Sequence, residues 1–157
     1  MITPQPLPPF ALLSRYAADG GYADCYATEL PGDYSHAEYV AAFYTSWLFK
    51  LERLVLATLV FKPSTDEQAE QLGRGERDAF AAWSVEARAP DQLLVRDYQG
   101  KTRSWLMIER QDGVTKLYFG TGIGRLSAFF RGLLPFHKRY ARALLRAARS
   151  RLISARS

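Results

Sequence analysis

The chain is short of the residues that most often carry chemistry. Its 157 residues include one cysteine, Cys25, and two histidines, His36 and His137. A single cysteine makes no internal disulfide, which fits a reducing, cytoplasmic setting. The histidines stand far apart and neither has a neighbour at ligand spacing, so no metal and no cofactor is expected. Cys25 forms no recognisable nucleophile pair with either of them and reads as a small core residue. Long apolar runs are also missing. Lys50, Glu52 and Arg53 interrupt the longest candidate, Trp47 to Phe61, so no transmembrane segment is expected. The opening stretch MITPQPLPPFALL has no basic residue before its apolar part and lacks the charged start of a secretory signal. Finally, acid is missing from one end. Arg125 to Ser157 holds nine of the 21 basic residues and none of the 16 acidic ones, which leaves the rest of the chain mildly acidic.

What is present suits one globular domain with a real core: 48% of residues are hydrophobic and 24% charged. Residues 1–21 read as a proline-rich arm ending at Asp19-Gly20-Gly21, and 153–157 as a tail. Between them, 22–152 reads as a single α+β domain. Tyr22 to Leu30 alternates as a strand. Ser35 and Glu38 form a capping box that opens a helix to about Tyr44. A second helix covers about Ser46 to Phe61, with Leu48, Leu51, Val55 and Leu59 on one stripe. Lys62-Pro63 stops it, and a short polar helix follows to about Leu72.

Trp83 to Phe119 carries the clearest signal, a meander of four strands with turns near Pro90-Asp91, Gly100-Lys101 and Asp112-Gly113. Asp-Gly predicts a two-residue hairpin that sets Glu109 opposite Lys116. A two-residue turn at Gly100-Lys101 would set Asp97 opposite Ser104 and Arg96 opposite Trp105. Alternation then separates an apolar face (Trp83, Val85, Leu93, Val95, Leu106, Ile108, Leu117, Phe119) from an aromatic–arginine face. The latter includes Glu86, Arg88, Arg96, Tyr98, Arg103 and Trp105. Gly120, Gly122 and Gly124 are expected to break the last strand. The final helix is expected from about Pro135, with a bent lead-in over 126–134, and presents Phe136, His137, Tyr140, Leu144 and Leu152 on its apolar side. Pairing the first strand with the last gives an antiparallel sheet of about five strands in the order 1-5-4-3-2, packed on the C-terminal helix, with two to three helices between the first two strands.

This element order over 22–152 resembles the START-like, or birch-pollen-allergen-like, helix-grip superfamily. It departs from that pattern in having five expected strands rather than six or seven, and extra polar helix over 62–80. At closer range LPGDYSHAEYVAAFYTSWLFKLER, FAAWSVEARAPDQLLVRDYQGKTRSWLM and LYFGTGIG resemble a small bacterial family of unknown function placed near the same fold. That resemblance implies a helix-grip architecture and no particular activity.

The resemblance implies a small, partly apolar ligand between sheet and C-terminal helix. Expected walls are Trp83, Val95, Leu106, Phe119, Phe136 and Tyr140, with Asp97 as the polar contact. Asp97 has a plainer reading too, as a hydrogen bond that fixes its hairpin. A second candidate is the surface of Arg88, Arg96, Arg103 and Trp105, where guanidiniums beside an indole suit an anionic ligand or a protein. Without a use, the same residues form a ladder of cross-strand pairs. The basic helix suits an acidic membrane or nucleic acid, or is simply a solvated face. The run Gly120-Thr121-Gly122-Ile123-Gly124 is no dinucleotide loop, because an antiparallel meander precedes it. Asp97 alone supplies no acid–base pair, so a binding module is favoured over a hydrolase, cyclase or dehydratase. Oligomeric state is not legible.

Overall fold

A computed structural model describes residues 1–18 and 21–157. The elements run β1 (Thr3–Pro4), α1 (Ser14–Ala18), β2 (Tyr22–Pro31), α2 (His36–Thr45), α3 (Trp47–Leu59), α4 (Asp66–Gly73), β3 (Ala79–Phe80), β4 (Trp83–Ala89), β5 (Gln92–Asp97), β6 (Thr102–Gln111), β7 (Val114–Ile123) and α5 (Ala128–Ala155). The fold is α+β. One antiparallel sheet has the order β1-β2-β7-β6-β5-β4-β3. It is larger than the expected five strands because a two-residue strand is added at each edge; the five between them keep the expected order. Asp19 and Gly20 of the expected turn lie outside the described residues.

Local chemistry explains where the elements begin. Ser35 Oγ accepts from Glu38 N at 3.0 Å, and Glu38 Oε2 accepts from Ser35 N at 2.8 Å, which closes the capping box of α2. Thr65 and Gln68 close a second capping box at α4, and Ser46 Oγ alone caps α3 by accepting from Phe49 N. Asp112 and Gly113 both have positive φ, 53° and 76°, as the tight hairpin requires, and Glu109 faces Lys116 as expected. His36 opens α2 and reaches the sheet, where its Nε2–H donates to Leu106 O at 3.0 Å. Burial holds its pKa below the usual value, opposed by that hydrogen bond.

Three register details differ from expectation. The β5–β6 loop holds the four residues 98–101 and is centred one residue earlier than Gly100-Lys101, so Val95 faces Ser104 and Arg96 faces Arg103. Asp97 sets that loop: its Oδ1 accepts from Lys101 N at 2.7 Å and Thr102 N at 3.3 Å, while Gly100 takes φ +69°. A slip of two preserves which face each residue occupies. Second, β4 bulges between Val85 and Ala87. Beyond the bulge Arg88 pairs with Leu93 and lies on the inner face rather than the outer one. Third, the glycines do not end β7, which continues through Gly122 to Ile123 and pairs there with β2 and β6. Likewise α5 begins at Ala128 and runs through Pro135 as one helix.

Two cores result. On the inner face, Leu93, Val95, Leu106, Ile108, Leu117 and Phe119 pack against α2 and the later part of α5. On the outer face, Leu94, Trp105, Met107 and Tyr118 are covered by the N-terminal segment, chiefly Ala11 and Leu13. Gln92 joins segment to sheet. Its Oε1 accepts from Leu12 N and from Trp105 Nε1, both at 2.9 Å. The proline-rich arm is therefore a lid on the second sheet face.

Candidate functional site

A cavity of about 260 Å³ lies between the inner sheet face and the helices. The sheet contributes Trp83 from β4, Thr102 and Ser104 from β6, and Phe119, Thr121 and Ile123 from β7. Helices α2 and α3 add Phe43, Phe49 and Glu52, and α5 closes the space from Phe130 to Leu144. Phe43 anchors this wall, with ring centroids 4.8 Å from Phe119 and 5.8 Å from Phe49. Of the expected wall, Trp83, Phe119, Phe136 and Tyr140 meet at the cavity. Val95 and Leu106 do not line it; they are fully buried in the core. Asp97 is not a cavity contact, because its carboxylate is occupied at the hairpin turn.

Two polar pairs that the sequence reading did not single out stand at the cavity. Tyr140 Oη donates to Glu52 Oε2 at 2.6 Å, joining α5 to α3. Burial raises the Glu52 carboxyl above the usual range, and the Tyr140 hydrogen bond works against that rise. One helical turn earlier, His137 Nε2 meets Asp24 Oδ2 at 3.2 Å. The same oxygen accepts from Tyr22 Oη at 2.7 Å, while Asp24 Oδ1 accepts from Thr121 N at 2.9 Å. Asp24 is thereby satisfied by three donors and fixes the imidazole. Trp83 brings one unsettled group: its Nε1–H is buried with no acceptor among the described residues. Glu52 had a faint signal in the sequence, since it stands four residues after Leu48 and four before Leu56 and so shares their helical face.

The expected surface site does not assemble. Trp105 is 0% exposed beneath the N-terminal segment. Arg88 turns to the sheet edge, donating to Leu72 O at 3.0 Å and Arg77 O at 2.7 Å. Arg103 donates to Glu86 Oε1 at 3.2 Å and lies over the Tyr16 ring at 4.7 Å. Tyr16 Oη also donates to Glu86. Arg96 remains exposed, with one long contact to Ser84 Oγ at 3.5 Å. Cys25 is buried, and burial followed by the Asp24 charge pushes its thiol up to about 12, so it stays protonated at neutral pH. Among the described residues no cluster of His, Cys, Asp and Glu could hold a metal ion, and no helix is long and apolar enough to cross a membrane.

Outside the cavity, one apolar surface is unpartnered. Of the α3 residues only Phe49 is buried, while Trp47, Leu51, Leu54, Val55 and Leu59 face outward. Phe129, Leu133 and Phe136 of α5 are exposed too, and the last two also belong to the cavity wall. The basic helix is partly engaged. Arg142 stacks on Tyr26 at 5.3 Å, and Arg149 donates to Glu29 O at 3.1 Å.

No family model and no curated protein matches the chain. Among solved structures, CalU16 from Micromonospora echinospora aligns over 98% of this chain and 92% of its own, at 12% identity and a TM-score of 0.37.

Proposed function

We propose that this protein is a helix-grip-like module that binds a small, partly apolar molecule in the cavity beneath α5. The supporting observation is the cavity itself, walled by aromatic side chains with a few fixed polar groups. That is the composition of small-molecule sites, and the volume falls just under the roughly 300–1,000 Å³ usual for drug-sized ligands. A fitting molecule is correspondingly small. An acceptor atom on it would settle the buried Trp83 N–H. The uncharged fluorophore N-phenyl-1-naphthylamine tests this. It should brighten on addition to the protein, and Thr121→Phe, which fills the cavity from β7, should remove the signal while leaving the fold intact by circular dichroism. Equal brightening by both proteins would place the dye elsewhere and end the proposal. Native mass spectrometry of protein from its own host should then show a small bound mass that is lost on denaturation.

A second reading rests on the exposed apolar row of α3 and α5. Beside a helix bearing nothing but positive charge, it suits the surface of an anionic membrane. Vesicles containing phosphatidylserine should sediment the protein, and Leu54→Glu with Leu59→Glu should leave it in the supernatant. Sedimentation unaffected by that double change would dispose of the idea.

A further inference from the structure

The cavity is short of one kind of residue. The chain has 21 lysines and arginines, yet none of them lines this space. Glu52 does line it. Its carboxyl accepts one hydrogen bond, from Tyr140, and has no ion-pair partner among the described residues. A carboxylate offers about four acceptor positions on two oxygens, so one neutral donor leaves most of them unused. Glu52 is half-buried, and withdrawing a carboxylate from water without a countercharge is costly; an arriving cation offsets part of that cost. His137, the other ionisable group besides Tyr140 on this wall, turns its Nε2 to Asp24 rather than to Glu52. The walls favour the same visitor. Phe43, Phe49, Trp83, Phe119, Phe136 and Tyr140 line the space, and the faces of aromatic rings attract positive charge.

We infer that the ligand of this cavity is an apolar amine or ammonium compound whose cationic nitrogen is held against Glu52. This rests on the cavity being a binding site. A carboxylate or phosphate would meet Glu52 and find no arginine or lysine, so anions are selected against. The chain's overall positive charge works against cations at long range, so recognition here is local, set by one carboxyl beside aromatic walls. Tyr140 keeps the carboxyl oriented while the site waits.

Three probes with one carbon skeleton separate the possibilities: 4-phenylbutylamine, 4-phenylbutan-1-ol and 4-phenylbutyrate, titrated calorimetrically at neutral pH. The amine should bind at least about tenfold more tightly than the alcohol, and the acid most weakly, as expected when a charge-assisted hydrogen bond replaces a neutral one. In Glu52→Gln, which keeps the shape, the preference for the amine should vanish while the alcohol still binds. Tyr140→Phe keeps the carboxyl and should retain the preference. Equal binding of amine and alcohol to the parent protein would overturn the inference and leave the cavity reading standing. Binding of none of the three would remove both. A preference that survives Glu52→Gln would also overturn it.

Discussion

Trp105→Ala should cost about 3–5 kcal/mol, a large share of the roughly 5–15 kcal/mol that holds a domain of this size together. The indole is 0% exposed and sits at the centre of the outer core, its ring 6.0 Å from that of Tyr118. Truncation removes apolar surface from the packing and leaves a void under a segment held mainly by this side chain and its neighbours. It also removes the Nε1–H that shares Gln92 Oε1 with Leu12 N, loosening the link between arm and sheet. Urea denaturation followed by circular dichroism measures the loss. A change below about 1 kcal/mol would mean that the N-terminal segment does not cover the sheet as described.

Gly120→Ala should be comparably damaging for the opposite reason, too much volume. A methyl group on Gly120 would lie 2.7 Å from Asp24 O, 2.8 Å from Leu13 Cδ2 and 2.9 Å from Trp105 Cε3. Two of these neighbours are core side chains and the third is backbone of the paired strand, so β2 and β7 must part or the lid must lift. Overpacking of this kind costs about 1–3 kcal/mol and more when backbone is involved. The two changes should also couple. With Trp105 already reduced to alanine, one of the three clashes is gone, so the added cost of Gly120→Ala should be smaller than in the parent. Strict additivity in a double-mutant cycle would argue against the contact.

These contacts show why parts of the molecule were legible in the sequence and others were not. Local chemistry announces itself. Ser35 with Glu38 predicted the start of α2, and Asp112-Gly113 predicted both a turn and a register. The apolar face from Val85 to Phe119 followed from alternation alone. The bulge at Glu86 was invisible because no glycine or proline marks it and the alternation runs on to either side. The β5–β6 turn departs from expectation because its position is set by the Asp97 side chain, which accepts from backbone N–H groups that sequence cannot place. Trp105 looked like surface because what buries it comes from a proline-rich stretch about ninety residues earlier, with no periodicity to show where it docks. Gly120 and Gly122 read as strand-breakers, whereas they are strand residues over which Leu13 and Trp105 lie. At the candidate site, the aromatic wall was half legible through Trp83, Phe119, Phe136 and Tyr140. In the sequence Glu52 reads as a polar interruption of an apolar helix. Its partner lies on α5, and only the tertiary fold brings the two together.

The pairing of β2 with β7 has a kinetic consequence. Tyr22 lies opposite Ile123, so about a hundred residues of chain must be gathered before these strands meet, whereas β5, β6 and β7 join through short turns. Sequence separation thus predicts the meander as the early nucleus, with closure by β2 and α5 in the later, slower part of folding. The cavity draws its walls from both groups, from Ser104 and Phe119 of the meander and from the α5 residues that arrive afterwards. On that order the cavity is complete only once α5 has docked. Anything that occupies it binds the native state alone, which slows unfolding while leaving the early steps of folding at their own pace.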